Sequence, residues 1–144
     1  MDANCLVSGT ASPNGAAGRV LRNVASGRLR LVLSEDILAD YRAPMERLSV
    51  LRLFLQRNLD IDTIERAIRV LAAEAVLVTP VGEPPDCRDP DDRAYLHCAL
   101  AGDADFLVTR DNDLLVLERI GACVILDPAA LLDLMRAEGD EPDP

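Results

Sequence analysis

Lysine is absent from this 144-residue chain; all 15 of its basic side chains are arginine. That removes chemistry that needs an ammonium group, including Schiff-base catalysis, P-loop phosphate binding and lysine-assisted phosphorylation of an aspartate. Tryptophan is absent too, and two Tyr and two Phe complete the aromatic set. A stacking platform for unpaired bases therefore has only Tyr41 and Tyr95 to build on, and Tyr95 lies in a helical stretch where core packing is the simpler reading. His97, the single histidine, has no second imidazole with which to form a His-based zinc site. Cys5, Cys87, Cys98 and Cys123 are dispersed without a C-x-x-C pair, so neither a zinc site nor a disulfide frame is indicated, and reduced, buried thiols are expected. No apolar run approaches the roughly 20 residues that span a bilayer, and no basic-then-apolar leader opens the chain. A cytoplasmic protein that does not engage a membrane is the expectation.

Acids are what the chain has in excess, 25 Asp and Glu giving a formal charge of −10. Any contact with nucleic acid must then be a local patch, not the field of the whole molecule. About half of the residues are apolar, enough for one domain with a real core. We expect that domain over residues 1–137, with an acidic, proline-containing, disordered tail over 138–144.

Short Val/Leu/Ile strands alternate with helical stretches. Strands are expected over Asp2–Ser8, Leu29–Leu33, Val76–Val81, Phe106–Thr109 and Cys123–Leu126. Helices are expected over Ala16–Ser26, from a Ser34 cap onward, over Leu48–Leu59 past a kink at Pro44, and over Ile64–Ala75 with Asp60 or Asp62 as cap. Further helices are expected over Asp91–Leu100, Asp113–Arg119 and Pro128–Ala137. The pattern predicts an α/β fold with a mainly parallel central sheet flanked by helices.

Oxygen ligands recur beside strands: Asp2 and Asn4 at the start, then Asp89-Pro90-Asp91-Asp92 opening a helical stretch, then Asp111-Asn112-Asp113 after the strand Phe106–Thr109. A parallel sheet lines up its carboxyl ends, so such acids converge although distant in sequence. Converging carboxylates repel unless a cation neutralises them, which points to Mg²⁺ or Mn²⁺. Each signal alone is as well explained by a helix cap or a solvated face. A receiver-type phosphotransfer domain would fit the fold but needs the missing lysine, and a toprim-type site needs a further acid in another setting.

Taken in order, these residues resemble a PIN domain, specifically the bacterial toxins related to virulence-associated protein C (VapC), over nearly all of residues 2–136. The resemblance rests on Asp2-Ala3-Asn4 followed by Cys5-Leu6-Val7-Ser8, on Ser34-Glu35-Asp36-Ile37-Leu38-Ala39-Asp40-Tyr41, on Arg88-Asp89-Pro90-Asp91-Asp92 and on Leu107-Val108-Thr109-Arg110-Asp111-Asn112-Asp113. It implies a metal-dependent endoribonuclease in which Asp2, Asp40, Asp92 and Asp111 hold Mg²⁺ or Mn²⁺ and carry catalysis. Asp113 is implied as a further metal or supporting group, Asn4 as orienting Asp2, and Asp89 as capping or positioning the acid loop. Asp40 stands where the family usually has Glu; Asp36, one turn earlier, is the substitute candidate. Ser8, Ser34 and Thr109 are candidate supporting hydroxyls, with turn and strand-end bonding as the alternative. Arg88, Arg93 and Arg110 are candidate contacts to RNA phosphates, with surface pairing to acids as the alternative.

The resemblance further implies an antitoxin partner that blocks the acidic site, and homodimerisation. Family members carry several residues of a central strand before the first Asp, where this chain has only Met1, so the natural start is expected further upstream. The shortened start and Asp40 also keep open a PIN-like domain that no longer cuts and acts as a binding or regulatory partner.

Overall fold

Asp2 starts a helix, not a strand. The structure, a computed structural model, describes residues 1–43 and 61–139. In it α1 runs Ala3–Ala11, and the Asp2 carboxylate accepts from the Cys5 N–H, satisfying a donor of the first turn that has no partner within the helix. The apolar run Cys5-Leu6-Val7 that reads as a strand is instead the buried face of this helix. Short apolar runs do not distinguish the two periods, and the cap decides.

α2 (Ala16–Ala25) buries Val20 and Val24 at helical spacing, and Gly27, at φ +79, turns the chain out of it. α1 packs on α2 at Gly9, where an added Cβ would lie 2.7 Å from Leu21 Cδ1 and 2.9 Å from the Ala17 backbone. β1 is Val32–Leu33. The Ser34 hydroxyl then accepts from the Ile37 N–H to cap α3 (Glu35–Arg42), whose first turn carries Glu35 and Asp36 as the macrodipole favours.

α4 (Ile61–Glu74) buries Ile64, Ile68 and Leu71 as one stripe. It leads to β2 (Val76–Leu77). The expected helix over Leu48–Leu59, the kink at Pro44, the Asp60 cap and the tail from residue 140 lie outside the described residues. After a Pro-rich loop, a 3₁₀ turn over Pro90–Asp92 leads into α5 (Arg93–Ala101), closed by Gly102.

β3 (Phe106–Val108), α6 (Asn112–Leu115), β4 (Arg119–Ile120), β5 (Cys123–Leu126) and α7 (Pro128–Ala137) complete the order. Asp127 caps α7 by accepting from Ala130 N–H, with Pro128 at the first helical position where its missing donor costs nothing. β4, which the sequence pattern does not announce, is a two-residue strand turned back on β5 at Gly121, φ +57.

The fold is mixed α/β, but among the described residues there is no single central parallel sheet. β1 pairs in parallel with β2. Separately, β5 lies between β3, to which it is parallel, and β4, to which it is antiparallel. β1 and β3 do not hydrogen-bond to each other; a cleft of about 500 Å³ lies between them. The largest core joins α1, α3, α4 and α5 around Leu6, Ile37, Ile64 and Leu96. A smaller core seals α2 and α7 over the β3–β5 pair through Val20, Leu126 and Leu131.

Candidate active site

Thr109 is the hub of the site. It is fully buried at the end of β3. Its hydroxyl donates to Asp2 Oδ2 and accepts from the Asp111 N–H at 3.0 Å. Asp2, 6 % exposed, accepts from Cys5 N–H through Oδ1 at 2.6 Å, and its Oδ2 also accepts from Arg110 N–H at 3.3 Å. The first residue pair and the end of β3 are thus tied together across more than a hundred positions of sequence. A backbone bond reinforces the tie, Asp2 N–H donating to the Val108 carbonyl at 3.0 Å.

Asp111 caps α6, its Oδ1 accepting from Asp113 N–H at 2.9 Å. Asp113 in turn pairs with Arg88 Nη1 at 3.3 Å. Asp89 caps the 3₁₀ turn by accepting from Asp91 N–H at 3.0 Å, and that turn delivers Asp92, 9 % exposed, toward the other acids. Asp92 Oδ2 is buried without a hydrogen-bond partner among the described residues. Its carboxyl is pushed up to about 6, first by burial and then by the charges of Asp111, Asp89, Asp2 and Asp113. Those four are the acids whose fields reach it most strongly. Burial and the neighbouring Asp2 also push the Cys5 thiol up to about 12, so it stays protonated and inert.

Asp40, on α3, is held by a tyrosine. Its Oδ2 accepts from the Tyr95 hydroxyl, and the same hydroxyl accepts from Ala3 N–H at 3.0 Å. Tyr41 donates to the Met1 carbonyl at 2.6 Å. The chain's two tyrosines therefore brace the backbone on either side of Asp2. Tyr95 is buried, as core packing predicts, but its hydroxyl has work that the sequence did not announce; the available signal is that a buried tyrosine needs a partner for its O–H.

The remaining predicted residues are placed as follows. Asn4 is exposed on α1, and the hydrogen bonds that hold Asp2 come from Cys5, Thr109 and Arg110 instead. Asp36 is exposed in the first turn of α3. Ser34 is buried as the α3 cap. Ser8 accepts from Arg110 Nη1 at 2.7 Å. Arg93 is turned to the Pro84 and Pro85 carbonyls, at 3.0 and 3.1 Å, and to Asp86 at 3.1 Å. Arg88 makes its pairing with Asp113 from the surface, its side chain 82 % exposed. All four cysteines are free, and three of them are buried.

In kind, the donor set fits a hard divalent cation: it is anionic, built of oxygen, and includes one buried oxygen without a partner. Among the described residues, however, no group of three or more His, Cys, Asp or Glu side chains is already arranged to hold a metal ion. Asp2, Asp92 and Asp111 would have to draw together around the ion. No helix among the described residues is long and apolar enough to cross a membrane. A protein-family model described as a PIN domain matches residues 1–113. No curated protein and no solved structure matches the chain.

Proposed function

The chain belongs to the PIN-domain family, whose members are generally metal-dependent nucleases, and on that premise we propose that it is a Mg²⁺- or Mn²⁺-dependent endoribonuclease, the toxin of a VapC-like bacterial toxin–antitoxin pair. The observation that carries the reading is Asp92. A buried carboxylate oxygen with no partner among the described residues, its charge disfavoured by Asp111, Asp89, Asp2 and Asp113, is a costly arrangement that a bound cation would relieve.

Asp2, Asp92 and Asp111 would hold the ion. Asp113 reaches the group from α6, and Asp40 is linked to it through Tyr95 and the Ala3 N–H. Such an ion supplies a polarised phosphoryl oxygen and a more acidic bound water. This chain's own part is positional. Thr109 fixes Asp2 against Asp111, the Asp89 cap aims Asp92 into the cluster, and the tyrosines hold the Met1–Ala3 backbone. Arg88 and Arg110 flank the acids and would bind the phosphates of the substrate strand. With a net charge of −10, RNA contact depends on such local arginines.

An antitoxin segment that places an arginine among the carboxylates would neutralise the same group, and two copies of the chain would form the toxin dimer. A gene for a small DNA-binding protein beside this one supports the toxin assignment; its absence counts against it. One observation favours a second reading, a PIN-like domain that binds without cutting: among the described residues, no three acids are already arranged for a metal. Incubation of structured RNA with Mg²⁺ or Mn²⁺ separates the two. Cleavage that EDTA and Asp92→Asn both abolish supports the nuclease; RNA left intact by folded protein supports the binding role.

A further inference from the structure

The basic charge of this chain is unevenly placed. Residues 3–34 hold Arg19, Arg22, Arg28 and Arg30 and no Asp or Glu, although acids outnumber arginines 25 to 15 in the whole chain. Arg19 and Arg22 lie three residues apart on α2, so they share a face, turned from the buried Val20 and Val24. Ala16, the first residue of α2 and three before Arg19, shares that face. It borders a surface depression together with Arg110. Asp127 borders the same depression, its Oδ1 taken by the Ala130 N–H in the α7 cap. A row of three cations, Arg110, Arg19 and Arg22, therefore leads away from the acid site.

Arg110 and Arg19 are not spent on acids. Arg110 gives its backbone N–H to Asp2, yet its exposed side chain donates to the Ser8 hydroxyl on α1 at 2.7 Å. Arg19 makes no ion pair among the described residues, and its Nε is buried without a hydrogen-bond partner among them. Arg88, Arg93 and Arg136, by contrast, each pair with an acid. Arg22 Nη1 donates to the Pro13 carbonyl, in the turn between α1 and α2. Neutralising the carboxyl end of α1 accounts for Arg22; it does not account for Arg19. A half-buried guanidinium with an orphaned donor is an arrangement that an anion from outside relieves, and its planar fork matches a phosphate.

We propose that this row is the track of the substrate strand: a single strand of RNA leaves the acid site past Arg110 and runs along the Ala16–Arg19–Arg22 face of α2, its phosphates taken by Arg110, then Arg19, then Arg22. This rests on the nuclease reading, and it gives the site a direction. The loop leading to Asp92 offers no such path, because Glu83, Asp86, Asp89 and Asp91 crowd it and Arg88 and Arg93 are already paired. A single row of cations follows one backbone, and phosphate contacts fix the register of a strand without reading its bases. No aromatic residue lies between residues 3 and 34, so no base stacks there. Affinity along the track is carried by charge and falls steeply with salt.

The test is binding of a fluorescent single-stranded RNA of about 12 nucleotides by the full chain carrying Asp92→Asn, in EDTA, over a series of salt concentrations. Arg19→Gln and Arg110→Gln, added singly to that protein, are each expected to weaken binding about 5-fold at about 0.1 M salt and to flatten the log–log salt slope by about 0.7. Together they are expected to cost about 25-fold. Arg119→Gln removes the same charge from β4, at the far edge of its sheet, and is expected to leave both readings in place. Arg19→Gln breaks no ion pair among the described residues, so its effect is not a folding defect. Binding by the double variant as tight as that of Arg119→Gln overturns the proposal, as does a parent protein that binds no RNA at low salt. The readout needs neither metal nor cleavage, so the two readings fail separately. Protein that binds through these arginines but does not cut, with Asp92 restored and Mn²⁺ added, loses the nuclease reading alone. Protein that cuts, with binding indifferent to these arginines, loses this track alone.

Discussion

Replacing Asp92 with Asn should stabilise the metal-free protein above pH 6, and the gain should vanish as the pH falls. The Asp92 carboxyl sits at about 6 instead of its ordinary 3.8, because burial and then Asp111, Asp89, Asp2 and Asp113 disfavour its charge. The folded protein therefore holds this proton more tightly than the unfolded chain does. Between 3.8 and about 6 the native state carries the extra proton, so stability falls as the pH rises through that window, and the penalty is complete above it. The gap corresponds to about 3 kcal/mol. Water at the rim of the site screens part of it, which leaves about 1–2 kcal/mol. Asparagine has the same shape and no charge. Urea unfolding in EDTA should give Asp92→Asn the higher midpoint at pH 7.5 by that margin, and the two proteins should converge near pH 3.5. Added Mn²⁺ should reverse the order at pH 7.5, since only the carboxylate gains a partner. A difference in midpoint that does not change with pH, or an Asn variant no more stable at pH 7.5 in EDTA, would refute the reasoning.

Thr109→Val keeps the volume of a fully buried side chain but removes the hydroxyl between Asp2 and Asp111. It should cost about 1–3 kcal/mol in denaturant unfolding and weaken Mn²⁺ binding by about 10–100-fold. Tyr95→Phe leaves Ala3 N–H and Asp40 without their shared hydroxyl and should cost about 1–3 kcal/mol. Tyr95→Leu should cost more, because it also opens a cavity. Gly9→Ala drives a methyl into Leu21 and the Ala17 backbone and should lower the thermal midpoint through about 1–3 kcal/mol of overpacking. An unchanged midpoint there would mean that α1 and α2 can separate freely.

Where local chemistry decides, the sequence was a sound guide. Cys123–Leu126 is a strand and Pro128–Ala137 a helix, as read, because an uninterrupted apolar run and then Asp127-Pro128 leave little choice. Ser34 caps its helix as its position implies. Asp92 and Asp111 stood out in the sequence as an acid run opening a helix and an acid run following a strand, and each lies at the start of a helical turn. What escaped was set by distant partners. The run after Asp2 is helical because the Asp2 carboxylate takes the Cys5 N–H and Val108 takes the Asp2 N–H, and the second of these contacts spans most of the chain. Tyr95 owes its role to Ala3 and Asp40, 92 and 55 residues away. The single parallel sheet was expected from strand count and order. Those cannot reveal that β1 and β3 face a cleft and do not pair with each other.

The central claim is that the carboxylates around Asp92 bind a divalent cation. Calorimetric titration of Mn²⁺ into the protein without RNA, at pH 7.5, beside Asp92→Asn and an exposed control, Asp36→Asn, tests it most directly. The account predicts binding that Asp36→Asn retains and Asp92→Asn weakens by about 100-fold or more. Equal Mn²⁺ affinity in all three proteins, or no binding by any of them while folded, would contradict it.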